Sequence, residues 1–151
     1  MTPMKIVIYC DGAYSQAHEV GSYGVVLFGA KTIEFAEACP GQSVTRMELL
    51  GAIVAIESIK KRSFITVYCD CRTVVDGAHK LIPKWITNGW QTCENKQVAN
   101  KDLWLRLLAC CRKHVIQWEW VKGHSGVKHN ERADQLAKGA IEAWVKEQTC
   151  Q

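Results

Sequence analysis

Residues 5–15 read KIVIYCDGAYS, an apolar run that ends in an aspartate followed by a glycine. Ile6, Val7, Ile8, Tyr9 and Cys10 are apolar or weakly polar with a β-branched bias, the pattern of a strand buried on both faces. Asp11 falls where that strand is expected to stop. A carboxylate at the end of a buried strand is unfavourable without a cation or hydrogen-bond donors, so it needs a partner. Residues 65–70, ITVYCD, repeat the arrangement: a second β-branched run that ends in Tyr-Cys-Asp. If the two strands lie side by side and parallel, Asp11 and Asp70 meet at their carboxyl ends, the edge where open α/β sheets bind ligands.

The chain around these strands has an α/β pattern. Residues 12–21 are polar and irregular, and residues 21–28 (GSYGVVLF) and 31–38 (KTIEFAEA) read as a hairpin joined at Gly29-Ala30. From Ser43 the apolar period becomes helical: Met47, Leu49, Leu50, Ile53, Val54 and Ile56 cover most of a helix circumference, with Lys60, Lys61 and Arg62 expected at its negative end. A short helix is expected over 72–80, then an irregular projecting element over 81–100 that contains Pro83 and Asn88-Gly89. Residues 102–114 form an amphipathic helix through Leu103, Leu107 and Leu108, and residues 115–121 (VIQWEWV) alternate as a strand. After a Gly- and His-bearing loop, Asn130 is placed to cap a final helix whose apolar face is Ala133, Leu136, Ala137, Ala140, Ile141 and Trp144.

With 151 residues, 48% of them hydrophobic and 23% charged, the chain fits one domain (1–151) with a substantial core. No apolar run approaches the ~20 residues of a membrane span, and the first residues lack a secretory design, so a cytoplasmic protein is expected. In that compartment the eight cysteines read as reduced thiols. Zinc held by Cys10, Cys69 and Cys71 is the alternative. The spacing disfavours it, because there is no C-x-x-C pair and Cys69 and Cys71 alternate about Asp70.

Two further carboxylates join Asp11 and Asp70. Glu48 is the one polar residue within 47–56 and reads equally as an inward ligand or as an exposed first-turn complement to the helix dipole. Asp134 falls in the expected first turn of the last helix, beside its core-facing stripe. Three or four carboxylates with no lysine dedicated to them raise one another's pKa unless divalent cations neutralise them, and oxygen donors favour Mg²⁺ or Mn²⁺ over zinc. Two such ions about 4 Å apart are a common device for attack of water on a phosphodiester.

Five segments carry a resemblance to type I ribonucleases H of the bacterial kind: Tyr9-Cys10-Asp11-Gly12, Thr45-Arg46-Met47-Glu48-Leu49, Val67-Tyr68-Cys69-Asp70, Val121-Lys122-Gly123-His124-Ser125-Gly126, and the run from Asn130 to Ala137. They stand in the family's order and spacing from about Lys5 to Lys146. The resemblance implies a ribonuclease H-like fold, a five-stranded mixed sheet with helices on both faces. It assigns Asp11, Glu48, Asp70 and Asp134 as ligands of two Mg²⁺ ions. The implied reaction is hydrolysis of the RNA strand of RNA·DNA hybrids, giving 5′-phosphate and 3′-hydroxyl ends, by a chain expected to be monomeric. By the same resemblance His124 assists proton transfer or product departure. From the residues alone, a serine hydrolase is unsupported, because Val127 stands where a G-x-S-x-G elbow needs its second glycine.

Positive charge is concentrated in residues 80–113. Lys80, Lys84, Lys96, Lys101, Arg106, Arg112 and Lys113 stand there against Glu94 and Asp102, a net of +5 that leaves −1 on the rest of the chain. Interleaved with Trp85, Trp90 and Trp104, this resembles the basic protrusion with which many bacterial members grip DNA. Lys84, Lys96 and Lys101 are assigned to phosphates and Trp85 and Trp90 to sugars, while Trp104 is read as core. The chain departs from the family at residues 14–20 and at Val44-Thr45, where amide-bearing residues commonly meet the minor groove. Gln16, Ser43, Thr45 and Arg46 are the candidates to replace them. Two other readings compete: a different nuclease on the same fold, such as a junction resolvase or strand transferase, and a non-catalytic hybrid-binding module.

Overall fold

The computed structural model describes residues 4–123 and 126–150. Five strands form one sheet: β1 (Met4–Ser15), β2 (Val20–Phe28), β3 (Thr32–Pro40), β4 (Ser63–Cys69) and β5 (Val115–Trp120). Their order is β3-β2-β1-β4-β5. The β1–β2 and β2–β3 pairs are antiparallel, and β1–β4 and β4–β5 are parallel, so the sheet is mixed, as the resemblance implied. Helix α1 (Val44–Glu57) packs on β1 and β2 with α4 (Lys101–Lys113) behind it, and α5 (Lys128–Thr149) packs on β2, β1 and β3. These two packings lie on opposite faces. Tyr23 of β2 meets Gly51 of α1, whereas its neighbour Gly24 meets the backbone of α5, and successive strand residues point oppositely.

The core lies between the sheet and α1. Ile6, Ile8 and Cys10 of β1, Val67 and Cys69 of β4, and Met47, Leu49, Ile53 and Ile56 of α1 are buried within it. The other face of β1 is covered less completely: Val7 and Tyr9 are half-buried, and Tyr9 stacks on Tyr68 with ring centroids 4.8 Å apart. The expectation of a strand buried on both faces therefore holds fully on one face only.

Four boundaries differ from the sequence reading. Strand β1 does not stop at Asp11 but runs on to Ser15, because Asp11–Ser15 pair with Gly24–Val20 of β2 after the pairing with β4 has ended. Helix α1 ends before Lys60, Lys61 and Arg62: the Ser58 hydroxyl donates to the Ala55 carbonyl at 2.6 Å and its N–H to those of Val54 and Ile56. The stretch after β4 is helical well past Lys80, as α2 (Arg72–Asp76), a π-helical turn (Gly77–Leu81) and α3 (Ile82–Asn88) in succession. Pro83 falls at the start of α3, where a missing N–H is tolerated. Asn130 does not cap α5; the helix begins at Lys128, and the Glu131 carboxylate reaches back to accept from the Gly126 N–H at 3.1 Å. Asp134 consequently lies in the second turn of α5, not the first.

The tryptophans of the projecting element pack at tilted angles, with Trp104 of α4 beside them. Trp85 lies 5.3 Å from the Trp104 ring and 5.8 Å from that of Trp90, and Trp104 is buried as expected. This ties α3 and the following loop to α4. No helix among the described residues is long and apolar enough to cross a membrane.

Candidate active site

The site begins where β1 and β4 part. Their parallel register runs from Met4↔Ser63 to Cys10↔Cys69 and ends there, so Asp11 and Asp70 are the next residue on each side of the opening. The predicted juxtaposition of these two aspartates follows directly from that register. Glu48 comes in from α1, and Gly12 is what allows the approach: a Cβ on Gly12 would lie 2.9 Å from the Glu48 backbone nitrogen. Glu48 and Asp11 are each only 4% exposed, which excludes the reading of Glu48 as a solvated first-turn charge. Asp134 enters from α5 on the other face, with its side chain 17% exposed.

Two buried carboxylates share a hydrogen bond here. Burial pushes Asp11 up to about 7; the hydrogen bond from Glu48 pulls the other way, and the charges of Asp70 and Asp134 add to the rise. Burial also holds Glu48 well above the usual carboxylate range, followed by the neighbouring Cys69, the hydrogen bond to Asp11 and the charges of Asp11 and Asp70. The Asp11 carboxylate accepts from the Gly12 N–H at 2.9 Å. Behind Asp70, the backbone of Gly123 approaches so closely that a Cβ there would lie 2.9 Å from Asp70 Oδ2.

The sequence reading missed two features of the cluster. It assumed that no lysine served these carboxylates, yet Lys138 Nζ lies 2.9 Å from Asp134 Oδ2, one helical turn on in α5. The i,i+4 Asp–Lys spacing was the available signal. Cys69 is more than a packed thiol: its Sγ is 3.6 Å from Glu48 Oε2, and donor atoms of Glu48, Cys69 and Asp70 all lie within 4.8 Å of one another. Cys10, Cys69 and Cys71 are all free thiols, as are the other five cysteines.

The remaining candidates form two groups, one around the start of α1 and the β1–β2 turn and one within residues 80–113. Ser43 caps α1 by accepting from the Arg46 N–H at 3.2 Å, and Thr45 follows it, half-buried, one turn before Glu48. Arg46 is engaged by Gln42, Asn100 and both carboxylate oxygens of Asp102. Gln16 is exposed in the turn between β1 and β2. On the projecting element Lys84 is exposed, Lys101 is half-buried at the start of α4, and Lys96 lies 3.4 Å from Glu94 with both side chains in solvent. His124 lies outside the described residues.

Comparison with solved structures first defines the class. The chain superposes on LC9-RNase H1, described as a type 1 RNase H with the type 2 active-site motif, with a TM-score of 0.84 at 25% identity over 95% of this chain and 74% of that one. It also superposes on the solution structure of the PFV RNase H domain, with a TM-score of 0.77 at 20% identity over 92% and 95% of the two chains, a likeness of fold alone. The fold is therefore ribonuclease H-like. Sequence comparison then gives the family. The chain is 43% identical to the Ribonuclease H of Phenylobacterium zucineum over 147 residues, 95% of this chain and 94% of that protein. It is 38% identical to that of Francisella philomiragia over 138 residues, 91% of each. The sequence model of the RNase H family matches residues 3–142, and the chain belongs to that family of nucleases. Divalent-metal dependence comes with the family, and the carboxylate oxygens of Glu48 and Asp70, gathered with the Cys69 thiol within 4.8 Å, offer such an ion hard donors.

Proposed function

We propose that this chain hydrolyses the RNA strand of RNA·DNA hybrids and leaves 5′-phosphate and 3′-hydroxyl ends, with residues 1–151 acting as one catalytic domain. The observation that carries the reading is that Asp11, Glu48 and Asp70 meet at the opening between β1 and β4, with Asp134 near enough for its charge to act on Asp11. Asp11, Glu48 and Asp70 would hold the cation from the sheet and α1, and Asp134 from α5. Two Mg²⁺ ions, or Mn²⁺, bound to these oxygens would supply the Lewis acidity that activates water and stabilises the departing oxygen.

The protein's own groups then account for selectivity and proton movement. Gly123 brings the loop after β5 against Asp70, and His124, next in sequence, assists proton transfer or product departure. Gln16, Ser43, Thr45 and Arg46 lie at the start of α1 and the β1–β2 turn, where they meet the minor groove and its 2′-hydroxyls. Lys84, Lys96 and Lys101 meet phosphates of the DNA strand, with Trp85 and Trp90 against its sugars. The experiment is incubation of the purified protein with end-labelled hybrid, double-stranded RNA and double-stranded DNA, with Mg²⁺ or with chelator. Cleavage confined to the RNA strand of the hybrid, dependent on Mg²⁺, is the expected result. Cutting of double-stranded DNA or double-stranded RNA, or no cleavage of the hybrid, would overturn the proposal.

A further inference from the structure

Asp70 stands just beyond the last residue of β4 and before α2, in a bend where the sheet no longer fixes the chain. The flanking peptide is held: the Val121 N–H donates to the Cys69 carbonyl at 3.0 Å. The carbonyl of Asp70 itself is held by a side chain. Trp120, the last residue of β5, donates its indole Nε1–H to that oxygen at 3.1 Å. The indole is in turn covered by Arg72, whose guanidinium carbon lies 3.9 Å from the ring centroid. Trp120 is 39% exposed, so the ring contributes little to the core, and its position is better explained by the hydrogen bond and the cation–π contact than by burial.

We infer that Trp120 is a positioning residue for Asp70, with Arg72 holding the indole in place. The hydrogen bond fixes the peptide that carries the Asp70 carboxylate, and with it the direction in which the carboxylate faces Glu48 and Asp11. The proposal rests on the reading of Asp70 as a metal ligand. It adds two residues, Trp120 and Arg72, that touch neither the metal nor the substrate in that reading.

The test is a Mg²⁺ titration followed by thermal melting in the absence of substrate, paired with steady-state cleavage of one hybrid. Trp120→Phe keeps the ring and removes the N–H; Arg72→Ala keeps the N–H and frees the ring. For Trp120→Phe, the Mg²⁺ concentration that gives half the thermal shift is expected to rise about 3- to 10-fold, the worth of one hydrogen bond. The kcat should fall at low Mg²⁺ and recover at high Mg²⁺, with KM for the hybrid unchanged. Arg72→Ala should move the midpoint in the same direction by less. A purely structural role would lower the metal-free melting temperature and leave the midpoint alone, and that result in both variants overturns the inference. Asp70→Asn, run alongside, separates the two levels of argument. If it leaves the Mg²⁺-dependent shift intact, the ligand reading itself is wrong; if it abolishes the shift while both other variants match wild type, only the positioning role is wrong.

Discussion

Asp11 and Glu48 are two buried carboxylates that cannot both carry full charge without a counterion. Asp11 is raised from the usual carboxylate range to about 7, so between about pH 4 and 7 the folded protein binds more protons than the unfolded chain. The contribution of Asp11 to the stability of the metal-free protein should then be lost as pH rises through that window, and Glu48, raised by burial as well, acts with the same sign. His114 acts with the opposite sign. Its pKa is lowered by burial and by Lys113, so its contribution is lost as pH falls below about 6.5. Melting curves of wild type and Asp11→Asn from about pH 5 to about pH 8 isolate the first effect. The variant should show a flatter profile, a melting temperature at neutral pH equal to or several degrees above wild type, and no hydrolysis. A variant that is less stable at every pH would mean that Asp11 serves the fold instead. At this scale the sequence was informative, because the twin Tyr-Cys-Asp endings made Asp11 and Asp70 a pair before any register was known. Lys138 did not stand out in the sequence, because an Asp–Lys pair at i,i+4 is common on any solvated helix face and carries no sign of a site by itself.

Among the elements, α5 is seated by a missing side chain. Gly24 lies mid-strand in β2, and a Cβ there would collide with the Ala133 carbonyl oxygen and lie 2.7 Å from the Ala137 nitrogen. The opposing atoms are backbone, so they cannot rotate aside. Gly24→Ala is expected to destabilise by about 1–3 kcal/mol or more and to displace the helix that carries Asp134. Chemical denaturation measures the first effect, and a weakened Mg²⁺-dependent thermal shift the second. A stable variant with a normal metal response would contradict the packing account. The strands were legible from their β-branched runs and α1 from its all-round apolar pattern. The extension of β1 was not, since Gly12, Ala13, Tyr14 and Ser15 carry no alternation and are held by pairing with β2. Nor was α3, because a π-helical turn shifts the apolar period and Pro83 reads locally as a breaker.

Across the whole molecule, charge and chemistry are separated: the carboxylates gather where β1 and β4 part, two from the strands and two from α1 and α5, and the excess of lysine and arginine lies on residues 80–113. If that element grips the DNA strand, replacing Lys84, Lys96 and Lys101 together by Ala should weaken hybrid binding and flatten its log–log salt dependence by about one unit per lost phosphate contact. Turnover at saturating hybrid should change little. An unchanged slope would make these lysines a solvated face, a role that the exposed Lys96–Glu94 pair already permits for one of them.

His124 follows Gly123, whose backbone lies against Asp70. His124→Ala is expected to slow single-turnover cleavage by ~10²- to 10⁴-fold without abolishing it, and to leave hybrid binding nearly unchanged. A variant equal to wild type would make His124 an ordinary loop residue. Loss of hybrid binding would make it a substrate contact.

The central claim is that the carboxylates at the opening between β1 and β4 hold the metal with which this chain cuts the RNA strand of a hybrid. The most direct measurement is the rate of cleavage of one end-labelled hybrid as a function of Mg²⁺ concentration, for wild type and for Asp70→Asn at equal occupancy by substrate. The account predicts saturable, Mg²⁺-dependent cleavage by wild type and none by Asp70→Asn, which still folds and binds the hybrid. Cleavage that persists in Asp70→Asn, or that proceeds in wild type with all divalent cations chelated, would contradict it.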